Sequence, residues 1–310
     1  MDPFDLATLF AHRGRIEGLD PAGTPELAVF GAVPSCRMAA LLPGSFNPPT
    51  AAHLMLAERA LRDGYDCVLF VLARTTAGKK PNGLLPEDRL MAMRALCDDT
   101  FAVAVSSHAL YADQARAAAA VFPGAELSFL VGSDKVIQIF DPAWYQDRDA
   151  ALEQLFSRAR LVVAPRSDQS EALRACLQDP ANARWADRIE ILRLHPAVGD
   201  LSSTHVRGML RAGAEPGGLV PPAVAAFLTQ VRAFAPPVVV GGEDVDPYEM
   251  RARLLHGLHD IDAGAMRFDL RALTELAVCD SLDGEQLRAA LRADEGNGDV
   301  LSRALAIVRP

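Results

Sequence analysis

The sequence has no closely spaced pair of cysteines and no long apolar run, and each absence excludes a class of protein. Its five cysteines lie at least thirty positions apart without a CxxC pair, which argues against a zinc ribbon or a disulfide framework and favours a reducing compartment. No stretch approaches the roughly eighteen apolar residues of a membrane span, and the acidic start MDPFDLATLF lacks the bases of a signal peptide. We therefore expect a cytoplasmic protein without a membrane partner.

Negative charge dominates, but it is unevenly distributed. The formal net charge is -9, whereas a nucleic-acid coat or a binder of anionic membranes needs a basic surface. Residues 241–310 hold 14 acids against 8 bases, so most of the excess lies in this stretch. We expect no nucleic-acid partner, and any polyanionic ligand must bind a local basic site.

Buried-type apolar runs alternate with amphipathic stretches through most of the chain. The runs show no polar alternation, as in strands buried on both faces. They begin at Cys36, Asp66, Phe101, Glu126, Ala159 and Arg188. The predicted helices begin at Ala51, Pro86, Tyr111, Gln169, Ser202 and Pro221, with one more segment ending near Trp144. Such alternation predicts an α/β protein with a doubly wound parallel sheet.

Segments with weaker patterning flank this alternation. Residues 1–35 are a lead-in with a short amphipathic helix over 4–12, and prolines and glycines mark a linker from 235 to 247. The sequence predicts one main domain over residues 36–235. Residues 236–310 are predicted to be the linker and a small, acidic helical C-terminal extension of unknown role.

The loop after the first strand, PGSFNPPTAAHL, joins a glycine turn to a helix start. Gly44 lets the backbone approach a ligand closely, and Thr50 and His53 lie one helical turn apart. The free N–H groups of that first turn form an anion site, to which a hydroxyl and an imidazole add donors. The alternative is that Thr50 only caps the helix and His53 is an ordinary surface histidine.

Two other strand-end loops carry phosphate-type donors. A helix with Arg207 near its start follows Ser202, Ser203 and Thr204, a set that suits a phosphate or forms a plain serine cap. The adjacent Lys79 and Lys80 follow the second strand, either as phosphate ligands or as a solvated basic turn. Since the carboxyl ends of parallel strands share one edge of the sheet, we expect these loops to lie together.

Asp134 and Trp144 offer two further contacts. Asp134 follows a strand, where a carboxylate suits ribose hydroxyls or caps the next helix. Trp144 is one of two tryptophans, and its ring can stack on a planar ligand or pack in the core. His256 and His259 are spaced as two metal ligands, but without a further ligand nearby we interpret them as surface residues and expect no protein metal site.

Taken together, these strings resemble the nicotinamide/nicotinate mononucleotide adenylyltransferases, nucleotidyltransferases with HxGH or TxxH and SSTxxR motifs. GSFNPPTAAHL is similar to the TxxH form, with Thr50 in place of the first histidine and Ala52 in place of the glycine. The likeness extends to KKPNGLLPEDRLMAMRAL, LVGSD followed by Trp144, LVVAPR, LSSTHVRGML and VPPAVAAFL, over about residues 38–233. The loop after Lys80 is one residue shorter than in the eukaryote-like relatives. Six motifs in one order are far more specific than any single one.

The resemblance implies a Rossmann-like nucleotidyltransferase fold for the main domain and adenylyl transfer as its reaction. The 5′-phosphate of nicotinate or nicotinamide mononucleotide would attack the α-phosphorus of ATP, and pyrophosphate would leave. His53, Thr50 and Arg207 would be catalytic, and Mg²⁺ would arrive with ATP. The choice between the two mononucleotides stays open, and so does a homo-oligomer.

The implied binding residues divide between the two substrates. Those for ATP are Gly44, Ser45, Phe46, His53, Ser202, Ser203, Thr204 and Arg207. Those for the mononucleotide are Lys80, Asp134, Trp144 and Arg166. Which basic residue binds which phosphate is left open.

Two other functions remain alternatives at this point. One is a nucleotidyltransferase of the same superfamily with a pantetheine-phosphate, flavin or alcohol-phosphate acceptor. The other is a non-catalytic regulator that binds a nucleotide without turning it over. The SSTxxR ending and Trp144 favour a pyridine acceptor over the first alternative.

Overall fold

Strands and helices alternate along most of the chain. The computed structural model describes residues 5–32, 35–74, 83–165, 169–192, 202–240 and 243–258. The strands are β1 (Leu27–Phe30), β2 (Met38–Pro43), β3 (Cys67–Ala73), β4 (Phe101–Ser106), β5 (Glu126–Gly132), β6 (Ala159–Ala164), β7 (Ile189–Ile191), β8 (Val238–Val240) and β9 (Glu243–Val245). The helices are α1 (Leu6–Glu17), α2 (Ala51–Arg62), α3 (Pro86–Arg94), α4 (Tyr111–Val121), α5 (Ser133–Phe140), α6 (Arg148–Phe156), α7 (Ser170–Gln178), α8 (Ser203–Arg211), α9 (Pro222–Gln230) and α10 (Pro247–Leu258). Short 3₁₀ helices cover Pro142–Trp144, Ala183–Arg188 and Gly217–Leu219.

One seven-stranded sheet carries the fold, in the order β1-β4-β3-β2-β5-β6-β7. The pairs from β4 through β7 are parallel, and β1 is antiparallel to β4 at the edge. Because β2 and β5 are neighbours while the chain moves outward from each, their carboxyl ends form a switch point. The predicted doubly wound α/β sheet is confirmed.

Both faces of the sheet are covered by helices. In β2, Ala39 and Leu41 join the cluster formed with α4, α5, α6 and α7, whereas Ala40 and Leu42 join the cluster formed with α2 and α3. All four side chains are at most 4% exposed. Since successive residues of a strand face opposite sides, this double cover explains the apolar runs without alternation.

Four strands and helices were not predicted, namely β1, α6, β8 and β9, and the bounds of α1 and β7 differ from the prediction. β1 is a four-residue strand within the supposed lead-in, and α6 begins after Asp147, whose carboxylate accepts the N–H of Ala150 at 2.9 Å. The short amphipathic helix is α1, which runs from Leu6 to Glu17 rather than over 4–12. β7 covers only three residues of the strand predicted from Arg188.

A third apolar cluster joins α1 and α10 to helices of the main domain. Leu9 of α1, Met91 of α3, Val224 of α9 and Leu255 of α10 are all buried in it. The division at residues 35 and 236 stays a prediction, but α1 and α10 share this cluster with helices of the main domain. Within the described ranges, no helix is long and apolar enough to cross a membrane.

Candidate active site

A buried ring shapes the loop between β2 and α2. The N–H of Gly44 donates to the carbonyl of Val71 on β3 at 3.0 Å. Phe46 is fully buried at φ 43°, with its ring centroid 5.0 Å from that of His53 and 5.7 Å from that of Phe70. A Cβ on Gly44 would lie 2.8 Å from the Phe46 ring, so the loop needs glycine there. The side chain of Phe46 therefore supports the imidazole, a role that its sequence position did not indicate.

Thr50 and His53 are bonded to each other at the start of α2. Thr50 is the fully buried N-cap residue; its N–H donates to Nδ1 of His53 at 3.0 Å, and its Oγ1 lies 2.7 Å from the same nitrogen. A backbone amide can only donate, so Nδ1 is an acceptor. The neutral imidazole consequently carries its proton on Nε2. Thr50 thus holds His53 in the tautomer that presents an Nε2–H donor.

Hydrogen bonds connect the N-terminus of α8 to the β2–α2 loop. Oγ of Ser203 donates to the carbonyl of Pro48 at 2.8 Å, and Nη1 of Arg207 donates to the carbonyl of Asn47 at 2.7 Å. Nη2 of Arg207 donates to Oγ1 of Thr204 at 3.1 Å. The starts of α2 and α8 therefore converge on one loop, where helix dipoles and free N–H groups favour an anion.

The hydroxyls at the start of α8 have different neighbours. Oγ of Ser202 accepts the N–H of His205 at 3.2 Å, so Ser202 caps the helix. Ser203 uses its hydroxyl proton to position α8, whereas Ser45 is exposed in the facing loop. Contact of these residues with ATP stays a prediction.

Guanidinium groups cluster beside this convergence. Burial lowers the pKa of Arg207, and the neighbouring Arg211 lowers it further. Burial likewise lowers the pKa of Arg89 on α3; Tyr248 opposes this effect, and Arg207 adds to it. These cations repel one another and form a positive region. A bound polyanion would reduce that repulsion. Arg89 was not predicted as part of the site.

Asp134 follows the carboxyl end of β5, whereas Trp144 lies in the 3₁₀ helix Pro142–Trp144 that comes after α5. Asp134 lies in the first turn of α5, whose N-cap is Gly132, so it does not take the capping position that was its alternative. Trp144 is 37% exposed, which speaks against core packing and leaves a ring face for stacking. Binding of a mononucleotide by either residue stays a prediction.

Some predicted residues cannot be assigned a position. Lys80 and Arg166 lie outside the described residues, as do Lys79 and His259, and the side chain of His256 is not described either. Within the described part of the chain, no three His, Cys, Asp or Glu side chains form a group that could hold a metal ion.

Asn47 is a site residue that the sequence reasoning missed. Its Oδ1 accepts the N–H of Leu84 at 2.9 Å, and a Cβ on Gly83, which has φ +86°, would lie 2.5 Å from that oxygen. The Asn47 side chain thus links the β2–α2 loop to the segment that begins at Gly83, after the Lys79–Lys80 pair. Asn47 stood in the quoted string GSFNPPT, but nothing local indicated a partner 37 positions away.

Fold and site together define a class. A switch-point crevice with two converging helix starts, an oriented imidazole donor and clustered guanidiniums is typical of an α/β protein that binds a polyphosphate nucleotide.

Comparison with known proteins leads to the family. The profile of the family described as Cytidylyltransferase-like matches residues 41–209. A probable nicotinate-nucleotide adenylyltransferase from Geobacter sulfurreducens is 33% identical over 217 residues, which is 63% of this chain and 97% of that protein. A putative nicotinamide mononucleotide adenylyltransferase from Schizosaccharomyces pombe is 28% identical over 192 residues, 56% of this chain and 76% of that protein.

Solved structures include a Plasmodium falciparum nicotinic acid mononucleotide adenylyltransferase complexed with NaAD. It is 14% identical with a TM-score of 0.47 and covers 64% of this chain and 97% of its own. The chain belongs to the cytidylyltransferase-like nucleotidyltransferases, in the branch of the nicotinate/nicotinamide mononucleotide adenylyltransferases. The resemblance stated from the sequence motifs is confirmed.

Proposed function

We propose that this chain is an adenylyltransferase of NAD biosynthesis. It joins ATP to nicotinate or nicotinamide mononucleotide, forming the dinucleotide and releasing pyrophosphate. Beside the family membership, one structural observation carries this function: the starts of α2 and α8 meet at Pro48, with His53 and Arg207 near them. Two helix starts at one point suit the ATP triphosphate.

The reaction needs positioning more than protein covalent chemistry. A 5′-phosphate oxygen of the mononucleotide forms a bond to the α-phosphorus of ATP, while the bond from that phosphorus to the bridging oxygen breaks in line. The bonding electrons leave with pyrophosphate. Because no protein nucleophile takes part, the enzyme contributes orientation and charge stabilisation.

His53 supplies a donor that needs no rearrangement during the reaction. The bond from Thr50 N–H to Nδ1 keeps the imidazole proton on Nε2, and the buried Phe46 ring supports the imidazole. We assign Nε2–H to an oxygen of the ATP phosphates, where negative charge develops as pyrophosphate leaves. Thr50 acts through His53, since its hydroxyl lies 2.7 Å from Nδ1.

Arg207 contributes positive charge from the opposite side of the loop. Its guanidinium is held by the Asn47 carbonyl and the Thr204 hydroxyl, so its position is set before a ligand binds. We assign it to the triphosphate, together with the backbone of Gly44, Ser45 and Phe46. The N-terminal N–H groups of α8, which follows the Ser202 cap, add neutral donors.

The mononucleotide is assigned to the β5 side of the switch point. Asp134 offers a carboxylate for ribose hydroxyls, and Trp144 offers an exposed ring for the pyridine. Lys80 and Arg166 are proposed for the mononucleotide phosphate or the outer triphosphate. Both substrates are small molecules, and the net charge of -9 gives no reason to expect nucleic acid.

Mg²⁺ fits this site as an ion carried by the nucleotide. The β2–α2 loop contains no carboxylate, and the described residues include no group of three His, Cys, Asp or Glu side chains around a common point. Phosphate oxygens and water would therefore hold the ion, which would neutralise triphosphate charge. We also expect the enzyme to work in the cytoplasm, where ATP is available.

The deciding experiment is side-by-side kinetics with MgATP and each of the two mononucleotides, followed by pyrophosphate release. We expect release with at least one, and the ratio of kcat/KM values assigns the substrate. Release only with a pantetheine-phosphate, flavin or alcohol-phosphate acceptor would replace the proposal with another transferase. ATP binding in a calorimeter without release for any acceptor would indicate a regulator.

A further inference from the structure

Two free thiols meet at the amino ends of β2 and β3. Cys36 lies just before the start of β2, and Cys67 is the first residue of β3. The Sγ atom of Cys67 lies 3.1 Å from the Sγ atom of Cys36, although the two residues are 31 positions apart. The parallel pairing of the two strands therefore creates a contact that no local cysteine pattern indicated.

Backbone hydrogen bonds around the two thiols hold them in contact. Ala39 of β2 lies opposite Cys67 of β3 in the register of the parallel pair. The carboxylate of Asp66 accepts the N–H of Arg37 at 2.7 Å and the N–H of Met38 at 2.9 Å. The N–H of Asp66 in turn donates to the carbonyl of Met38 at 2.9 Å. Because the bonded residues adjoin the two cysteines, the thiols need no rearrangement to react with each other.

The two thiols differ in exposure and in the ease with which they lose a proton. Cys67 is 1% exposed, whereas Cys36 is only partly buried. Burial raises the pKa of both thiols, and it does so strongly for Cys67. The hydrogen bond between them opposes the rise for Cys36 and adds to it for Cys67, because the Cys67 thiol donates to the Cys36 sulfur. Cys36 is therefore the thiol that an oxidant reaches and that ionises first, and Cys67 lies protonated behind it.

The pair is separate from the candidate active site and unlike the other described cysteines. It lies at the amino ends of β2 and β3, whereas the β2–α2 loop follows the carboxyl end of β2. The thiol of Cys97 donates to the carbonyl of Met93 at 3.4 Å, and the sulfur of Cys176 lies 3.8 Å from Nδ2 of Asn182. Both of these cysteines are partly buried, as Cys36 is. They therefore provide controls for exposure without a neighbouring thiol.

We propose that Cys36 and Cys67 are a redox modification site, at which a hydroperoxide converts the two thiols into a reversible disulfide. The Cys36 thiolate attacks one peroxide oxygen and the O–O bond breaks. The departing hydroxide takes up the proton that the thiol lost and becomes water, which leaves Cys36 as a sulfenic acid. The raised pKa makes this first step slow, because only the thiolate is the nucleophile.

The second step needs no further oxidant. The Cys67 sulfur attacks the Cys36 sulfur, the S–O bond of the sulfenic acid breaks, and the hydroxyl leaves with the Cys67 proton as a second water. The two thiols have then lost two electrons, and the peroxide has been reduced to two waters. Because the two sulfur atoms are already in contact, this step outruns further oxidation of Cys36. The disulfide joins the start of β2 to β3, and a dithiol reductant reverses it.

The test treats the full chain with hydrogen peroxide, with and without dimedone, which traps sulfenic acids. Remaining thiols are then alkylated, and the peptides are identified by mass spectrometry. Wild type is compared with Cys36→Ser, Cys67→Ala and the control Cys176→Ser, which removes a partly buried thiol away from the pair. The reaction is run at two protein concentrations, since a disulfide within one chain forms at a rate independent of concentration. Melting temperatures are measured before treatment, after it, and after reduction with dithiothreitol.

In the wild type we expect a peptide that links Cys36 to Cys67, formed at the same rate at both concentrations and lost on reduction. The melting temperature should rise by about 5 °C on cross-linking, because the disulfide restricts the unfolded chain. Cys67→Ala should stop at the sulfenic acid and give at least about tenfold more dimedone adduct at Cys36 than the wild type. In Cys36→Ser, the buried Cys67 should stay reduced. Cys176→Ser should cross-link as the wild type does.

Three results would overturn the proposal. In the first, Cys36 of the wild type is oxidised to the sulfinic acid while Cys67 is still alkylated as a thiol. In the second, Cys36 joins Cys176 or another chain as often as it joins Cys67. In the third, neither thiol reacts while Cys97 or Cys176 does, which would make the contact one of packing alone. The wild-type peptides decide all three, so the proposal stays open to refutation even if a variant fails to fold, and no readout depends on the transfer reaction.

Discussion

Arginine side chains have different partners and different roles in two neighbouring regions of this molecule. At the candidate nucleotide site, Arg207 bonds to a carbonyl and a hydroxyl, and burial and then the nearby Arg211 lower its pKa. In the layer formed by α1, α3 and α10, Arg13 pairs with Glu87 and Arg251 pairs with Asp88, all at side-chain exposures of 9% or less. We call this second region the ionic layer.

Burial explains the difference between the two regions. A charge removed from water requires a partner charge, so the carboxylates of α3 cancel the arginines of the ionic layer. At the site, partial exposure lets the guanidiniums be satisfied by neutral acceptors, and their charge stays available for phosphate. The same type of side chain therefore stabilises the fold in the ionic layer and, under the proposed function, binds phosphate at the candidate site.

The largest expected effect is on the ionic layer. Asp88→Ala would leave the fully buried Arg251 without its carboxylate and should cost about 3–5 kcal/mol of unfolding free energy. Asp63→Ala is the matched control, because Asp63 pairs with Arg59 at 2.7 Å on the surface; its cost should be below about 1 kcal/mol. Urea denaturation measures both, and equal losses would contradict the importance of burial for the ion pairs of the ionic layer.

The next effect is on catalysis and should spare stability. His53→Ala removes the oriented Nε2–H donor and should lower kcat about 10²- to 10³-fold, with the melting temperature within a few degrees of wild type. His108→Ala is the control, since its Nδ1 lies 2.8 Å from the Ser107 hydroxyl much as that of His53 lies near Thr50. An unchanged kcat in His53→Ala would remove its catalytic role.

Arg207→Lys separates charge from geometry at the site. The lysine keeps the positive charge but loses the paired contacts to the Asn47 carbonyl and the Thr204 hydroxyl. We expect the KM for ATP to rise about tenfold, with a smaller change in the mononucleotide KM. Steady-state kinetics compare Arg207→Lys with the control Arg211→Lys on the same helix. Equal KM values for ATP in the two variants would show that a positive charge at position 207 is enough for ATP binding.

The smallest effect concerns pH and the ionic layer. Burial, assisted by Arg94 and Arg15, lowers the pKa of His12 from 6.5 to about 4. Between these values the unfolded state binds more protons than the folded state, so the His12 contribution is complete above pH 6.5 and is lost as pH falls toward 4.

His12→Gln should therefore lose less stability than the wild type on acidification, by a slope difference of up to about one proton. Urea midpoints measured at several pH values between 7 and 4 give this slope. If stability falls with the same slope in the wild type and in His12→Gln, protonation of His12 does not cause the loss of stability at low pH.

Much of the fold followed from local pattern. Doubly buried strands such as β3 and β5 showed as unbroken apolar runs, and the α2 start showed in the TxxH string. β1 was missed because four residues carry little periodicity and its partner β4 begins over seventy positions away. α10 was assigned as helical, but nothing in its sequence separated the buried Tyr248 and Arg251 from solvated polar residues.

The candidate site likewise has features that local sequence predicted and features that it did not. Thr50 and His53 were predicted as a pair because three positions along a helix fix their proximity. The support from Phe46, the cation Arg89 and the Asn47 link to Leu84 were missed. Each depends on which side chains meet when β2, α3 and α8 pack around the switch point.

The sequence by itself determined the order of most strands and helices of the main sheet, the family, and the loops that carry phosphate-type donors. These follow from hydrophobic periodicity and from short motifs, which are properties of neighbouring residues. Only the tertiary structure decided that Ser203 donates to the carbonyl of Pro48, 155 positions away. The same holds for the contact of Arg251 with Asp88, which are 163 positions apart. Such contacts are selected by the packing of whole elements, and no local pattern encodes a partner at that distance.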